Sequence, residues 1–291
     1  MPIRTLSRSF PYGLASSFRP AFLVAAAGLS IAPSSAMAQW VPNYQYYSIQ
    51  RTGLFGPEQT GSAGLQTSTA DFLNTAGYVA GNSFRHTGVD TPNGVNTWVY
   101  NPVSNTTVQT GLTAPAYTGS AGFQDSFNEL QNAAGQVAGF SARYTGVNTY
   151  NGQDAWYFDP ITSITSAIIG SIRTADSFAS SSPTILTDDG FLLGNYQFFA
   201  GGIGSGEQRA FIFRPDLGLT DLGNLVSGGL TANGWSTLRN PVFSDALRTI
   251  VGHGFVNGQT SGQSVFILVP APAAAALLGL GGLMAAKRRR R

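Results

Sequence analysis

A stretch of this chain repeats itself without a gap. Thr52-Gly53-Leu54 returns as Thr110-Gly111-Leu112, and Thr60-Gly61-Ser62-Ala63-Gly64 returns as Thr118-Gly119-Ser120-Ala121-Gly122, both at an offset of 58. The same offset carries Asn74 to Asn132, Gly77 to Gly135, Val79-Ala80-Gly81 to Val137-Ala138-Gly139, Arg85 to Arg143, Thr87-Gly88-Val89 to Thr145-Gly146-Val147, Trp98 to Trp156 and Pro102 to Pro160. An ungapped match preserves the spacing of every side chain, so these are two copies of one unit. Two weaker copies follow. Gly190 and Ala210-Phe211-Ile212-Phe213-Arg214-Pro215 match Gly135 and the run Ala155 to Pro160 at an offset of 55. Thr249-Ile250-Val251-Gly252 and Val265-Phe266-Ile267-Leu268 close a fourth.

Each copy holds short runs of strand character separated by Gly, Asn, Asp, Ser and Thr. In the second they are Gly135 to Ser141, Asp154 to Phe158 and Ile161 to Ile169. Ala155-Trp156-Tyr157-Phe158, ended by Asp159-Pro160, reads as a buried strand entering a turn. Helical periodicity is confined to the two ends of the chain. The 36 glycines suit tight turns and would cost about 1 kcal/mol each inside helices. The class is therefore all-β. Four such units, each of about 55–58 residues with three or four strands, approach the size of propeller blades. Tyr46-Tyr47-Ser48-Ile49-Gln50-Arg51 precedes Thr52-Gly53-Leu54 as Thr106-Thr107-Val108-Gln109 precedes Thr110-Gly111-Leu112. An N-terminal strand completing the last unit would close a ring and remove its exposed edges. An open β-repeat stack is the alternative.

The ends have another character. Arg4, Arg8 and Arg19 precede an apolar run from Ala21 to Ala32, then Ala36-Met37-Ala38 stands before Gln39. A charged leader, a short apolar core and an A-x-A site make a signal peptide over residues 1–38, cut after Ala38 by signal peptidase. Residues 39–268 are then the β-repeat domain and residues 269–291 a tail. There is no cysteine, which excludes disulfides and thiolate metal sites. Fourteen carboxylates and only eight of the sixteen cations lie between Gln39 and Pro272, leaving the middle at a formal −6. The basic character belongs to the ends and gives no support for nucleic-acid binding.

In the tail, Val269-Pro270-Ala271-Pro272 is followed by fourteen small or apolar residues, Ala273 to Ala286, and by Lys287, Arg288, Arg289, Arg290 and Arg291. Fourteen residues are short of the about 20 that a helix needs to span a bilayer, and extending the run back to Val265 places Pro270 and Pro272 inside it. The cations are expected to stay on the cytoplasmic face. The order of these three parts resembles a PEP-CTERM sorting signal, which implies transient anchoring in the inner membrane and processing by an exosortase-like enzyme. Ala271 stands where that family's motif carries glutamate. A plain tail anchor is the alternative. The repeats resemble HAF-type extracellular repeats, through Arg209-Ala210-Phe211 and Leu219-Thr220-Asp221-Leu222-Gly223, and more loosely through Asn132, Gly135 to Gly139 and Asp154-Ala155-Trp156. No copy carries the family's histidine. The resemblance implies a secreted repeat protein and supplies no catalytic residues.

Candidate chemistry in the middle is thin. His86 occupies the position of Tyr144 and is expected to serve as an aromatic in packing or at the surface, and His253 is expected in an exposed turn. Asp154, Asp159, Asp188, Asp189 and Glu207 could supply a glycosidase pair, though Asp159-Pro160 and Asp188-Asp189-Gly190 read as turns. Asp90, Asn93 and Asn96 around Gly94, and Asn148, Asn151 and Asp154 around Gly152, could form calcium loops, without the EF-hand pattern. Asn105-Thr106-Thr107 has the form of a glycosylation sequon. Arg85 and Arg143 could hold a polysaccharide, but in a repeat protein such a residue is expected to bond a neighbouring unit. The resulting expectation is a non-enzymatic, exported envelope or extracellular-matrix protein at the cell surface, with no cofactor, no metal and exopolysaccharide as a partner. The alternative is a secreted glycan-binding module or carbohydrate-active enzyme on the same scaffold.

Overall fold

The computed structural model describes residues 49–204, 206–244, 248–259 and 263–269. The chain runs through four consecutive antiparallel sheets, one for each repeat. The first is a four-stranded meander of β1 (Ser68–Leu73), β2 (Val79–Thr87), β3 (Thr91–Asn101) and β4 (Thr106–Thr110). The second repeats it with β5 (Gln124–Gln131), β6 (Val137–Thr145), β7 (Thr149–Asp159) and β8 (Ile164–Ile168). From β2 to β6, β3 to β7 and β4 to β8, both ends of each strand move by the offset of the sequence repeat, as does the 3-10 turn Pro57–Gln59, which returns as Pro115–Tyr117. The third sheet has β9 (Ala179–Leu186), β10 (Leu192–Phe198), β11 (Glu207–Arg214) and β12 (Gly218–Asp221). The fourth has three strands, β13 (Trp235–Ser244), β14 (Thr249–Val256) and β15 (Ser264–Leu268).

Two short parallel bridges join the first three repeats into a 12-stranded mixed sheet, while the fourth forms a separate 3-stranded sheet. Gly94 and Val95 of β3 pair with Gln124 and Asp125 of β5, and Gly152 and Gln153 of β7 with Ala179 and Ser180 of β9. Gly94 has φ 97 and Gly152 φ 93, and a Cβ at either would collide with the carbonyl of Gln124 or Ala179. Asparagine adds a second link at the hairpin tips. Asn74 Nδ2 donates to the carbonyls of Asn132 (3.0 Å) and Ala133 (3.1 Å), and Asn132 Nδ2 donates to that of Thr187 (2.8 Å).

The all-β expectation holds, and no ring closes among the described residues. Among the described residues β1 pairs only with β2, and β13 and β15 pair only with β14. The series is open. Residues 49–51 form no strand, and the rest of the closing strand expected from Tyr46 lies outside the described residues. The signal helix and the apolar tail helix also fall outside them. No described helix is long and apolar enough to cross a membrane.

Successive sheets pack face on face, with a hydrophobic cluster in each interval. Ala80 and Val99 meet Val137, Trp156 and Phe158; Ala138, Ala155 and Tyr157 meet Leu192, Phe211 and Phe213; Leu193 and Ala210 meet Leu238, Ile250 and Phe266. Side chains alternate along a strand, so one copy of the motif feeds two cores, Val137 facing back and Ala138 forward. The same alternation puts Val265 and Ile267 of the fourth repeat at the forward positions held by Ala155 and Tyr157 in the second, where they are 63% and 61% exposed.

One cross-strand pair recurs in all four sheets. Gly81 lies opposite Trp98, Gly139 opposite Trp156, Gly194 opposite Phe211 and Gly252 opposite Phe266. None of these glycines has positive φ, so space explains them. A Cβ on Gly139 would collide with the Phe127 carbonyl and stand 2.6 Å from the Trp156 ring. The ring occupies the volume the missing side chain leaves. Gly139→Ala should destabilise the fold by about 1–3 kcal/mol through overpacking, read as a lower urea midpoint with an unchanged slope. Gly146→Asn, at φ 56 with open space around it, should stay near wild type, since Asn tolerates the left-handed region.

Candidate functional site

The two repeated arginines sit at the centre of the polar architecture. Arg85 on β2 and Arg143 on β6 are each only 8% exposed. A buried guanidinium requires acceptors for its donors, and the first repeat collects them from three elements. Arg85 Nη1 donates to Glu58 Oε2 (2.6 Å), Asn96 Oδ1 (3.0 Å) and Gln124 Oε1 (2.9 Å), and Nη2 to the Gly122 carbonyl (3.2 Å). Gln59 donates to Asn96 Oδ1 (3.0 Å), and Asn96 Nδ2 to Gln124 Oε1 (3.0 Å). Gln124 and Gly122 belong to the second repeat, so Arg85 ties the two together beside the first parallel bridge.

The second repeat meets the same requirement with different residues and less completely, since Arg143 Nε and Asp154 Oδ1 have no hydrogen-bond partner among the described residues. Arg143 Nη1 donates to Asp154 Oδ2 at 2.6 Å, and the Tyr117 hydroxyl donates to the same oxygen at 2.7 Å. The guanidinium lies 5.6 Å from the Tyr117 ring centroid, within cation–π range. Asp154 is fully buried. Burial, with the Asp154 charge and hydrogen bond beside it, pushes the Tyr117 hydroxyl well above its usual range, which keeps it a donor. Compared position by position, Ala116 replaces Glu58, Tyr117 replaces Gln59 and Asp154 replaces Asn96. The carboxylate has moved from the surface into the core. In the third repeat Arg209 takes the position of Asp154, lies 3.8 Å from the Phe198 ring centroid, and pairs with Glu207 (2.9 Å) and Asp221 (3.6 Å).

The expected bond between a repeated arginine and a neighbouring unit is present at Arg85. Other candidates are dispersed. Asp159 accepts from Ile161 N in its own turn (2.9 Å), Asp188 from Ala133 N (3.0 Å), and Asp189 from Thr187 (2.6 Å) and Arg248. Glu207 pairs with Arg209, so each of the five carboxylates is engaged by the protein's own groups, Asp188 and Asp189 by those of neighbouring repeats. The calcium loops do not converge either. Asn93 turns its amide nitrogen to the Gly122 carbonyl (3.2 Å), Asn151 turns its own to that of Asp176 (2.8 Å), and Asn96 and Asp154 belong to the arginine networks. Among the described residues no group of three His, Asp or Glu side chains gathers to hold a metal. Asn105 lies at φ 55 between β3 and β4.

His86 is half-buried, and neither ring nitrogen has a hydrogen-bond partner among the described residues. His253 is exposed as expected, but the turn expected there is strand β14, where it lies between Arg239 and Val265. Its flanking glycines, Gly252 and Gly254, make room for Phe266 and Trp235. The Arg209-Ala210-Phe211 and Asp221-Leu222-Gly223 runs prove structural. Ala210 and Phe211 are fully buried, and Asp221 caps a 3-10 turn by accepting from Gly223 N at 2.7 Å. Val269 is exposed at the end of β15. Pro270, Ala271, Pro272, the cations Lys287 to Arg291, and Ala36, Ala38 and Gln39 lie outside the described residues.

The sequence reading missed Glu58, Gln59, Tyr117 and Gln124. Their signal was present in the repeat itself, which also matches Pro57 to Pro115 and Gln66 to Gln124. They also line, in part, a groove of about 870 Å3 between the first two repeats, with Glu58, Arg85 and Gln124 on one wall and Thr165, Ala167 and Ile169 on another.

No family model and no curated protein matches the chain. Among solved structures, a mutant of AofleA from Arthrobotrys oligospora aligns with a TM-score of 0.31 and 10% identity, over 72% of this chain and 58% of that one. The polysaccharide lyase Uly1 aligns with a TM-score of 0.30 and 11% identity, over 72% and 51%. The chain thus spans little more than half the length of either, and similarity of this size assigns no activity.

Asp154→Ala should cost about 3–5 kcal/mol, because it strands a buried guanidinium, while Arg143→Met with Asp154→Leu should recover most of that loss. Glu58→Ala should cost less, about 1–2 kcal/mol, because its side chain is 61% exposed and Arg85 keeps Asn96, Gln124 and Gly122 as acceptors while losing its carboxylate. Urea denaturation of the variants checks all three.

Proposed function

We propose that this chain is an exported, non-enzymatic repeat protein of the cell envelope or extracellular matrix, and that exopolysaccharide is its partner. The observation that carries the reading is the use made of its buried charges. Arg85 and Arg143, the residues best placed by repetition to form a recurring site, are engaged inside and between repeats by 2.6 Å ion pairs and by bonds to the next unit. That is the economy of a scaffold, in which each unit holds its neighbour.

Export and sorting rest on the two ends of the sequence. In this reading signal peptidase cuts after Ala38, the apolar run from Ala273 to Ala286 pauses in the inner membrane, and an exosortase-like enzyme acts near Val269 to Pro272. The body is then released to the surface. Mass spectrometry of surface material from the native host should find a new N-terminus at Gln39 and no peptide containing Lys287 to Arg291. Surface protein that still ends at Arg291 overturns the sorting step, and surface protein that retains residues 1–38 overturns cleavage by signal peptidase.

A further inference from the structure

The groove between the first two repeats departs from the repeat pattern in two ways, and both add polarity. The second repeat shows that this arginine can be neutralised by a fully buried carboxylate, Asp154. The first repeat instead places its carboxylate on the 3-10 turn, where the Glu58 side chain is 61% exposed. Glu58 Oε2 is fixed by Arg85 at 2.6 Å, while Oε1 has no hydrogen-bond partner among the described residues. The wall behind it differs as well. Thr97 and Thr110, bonded to each other at 2.9 Å, stand at the positions where the second repeat buries Ala155 and Ile168. Packing alone is served by the apolar version, as the interval between the second and third repeats demonstrates.

We propose that this groove binds a short segment of a neutral glycan, with Glu58 accepting from sugar hydroxyls. Its volume, about 870 Å3, falls within the range of small-molecule sites, about 300–1,000 Å3. Arg85 holds the carboxylate in place, so Oε1 meets a ligand donor without first losing side-chain freedom. The Glu58–Arg85 pair has no net charge, and the atom it offers is an acceptor, which selects hydroxyl groups over anions. Gln109 and Thr165 line the groove as further hydrogen-bonding groups, and Ile169 adds apolar surface for the C–H face of a sugar ring. The proposal rests on the matrix reading above and names the surface through which that matrix is held.

Isothermal titration of the full chain with laminarin, dextran and galactomannan oligosaccharides, and with alginate as a polyanion, tests it. At least one neutral glycan should bind with an affinity little changed by salt. Glu58→Ala, and separately Thr165→Trp, which fills the groove, should each weaken it at least tenfold with the melting transition retained. Binding to none of the panel, binding to alginate alone, or neutral binding unchanged in both variants overturns the groove. Fractionation of the native host separates the two levels. If wild-type protein stays with the matrix and Glu58→Ala does so equally, the groove fails and the matrix reading survives. If wild-type protein is absent from the matrix, the reading itself fails.

Discussion

The glycine–aromatic pair across the second and third strands of every sheet is the contact on which the other packing depends. A side chain on Gly81, Gly139 or Gly194 would strike the carbonyl of the first strand as well as the ring, so the pair sets how closely three strands approach at once. Once the ring has filled the glycine's volume, it becomes the back face of its sheet. Trp156 and Phe211 then press on the alanines of the repeat before. Alternation along the strand supplies the front face without further instruction. Four similar pairs produce a stack because each sheet carries both halves of the same joint.

Polar side chains complete the joint at its edge, where the parallel bridges bring a third strand to its neighbour's first. Little room exists there, and glycines at positive φ admit the incoming carbonyls. A buried arginine beside such a bridge meets acceptors from two repeats. Its energy is conditional: a complete network contributes modestly, whereas loss of one partner leaves a charge that the interior cannot solvate. The nodes therefore specify arrangement more than they add stability.

Much of the fold was legible in the sequence, and the reasons for the rest are specific. The ungapped offset locates β2 to β4 and β6 to β8 because they carry β-branched and aromatic runs, such as Ala155 to Phe158, between turns rich in glycine and asparagine. It misses the first strand of each sheet. Gln124-Asp125-Ser126-Phe127-Asn128-Glu129-Leu130-Gln131 has no apolar alternation, since its inward contacts are made by Gln124 and Ser126. The start of β7 reads as loop because Gly152 sits in it, placed there for a backbone contact with Ala179 of the next repeat. For the candidate site, the arginines were visible by repetition, but their partners come from a 3-10 turn and from the next repeat, and neither proximity is written in local spacing.

The relocation of one carboxylate has a further consequence for how the chain assembles. Two adjacent repeats with matching strands could exchange segments during folding, a hazard common to tandem arrays. Suppose the turn bearing Glu58 docked on the hairpin of Arg143 and Asp154, and the turn bearing Ala116 and Tyr117 docked on that of Arg85 and Asn96. One hybrid would set two carboxylates against a single cation, and the other would leave a buried cation with none. The first error sets like charges together and the second leaves a buried guanidinium without a counter-charge, while correctly sorted repeats are each neutral at the node. The placement of Glu58 and Asp154 thus acts as a label that tells near-identical segments apart before the apolar faces close.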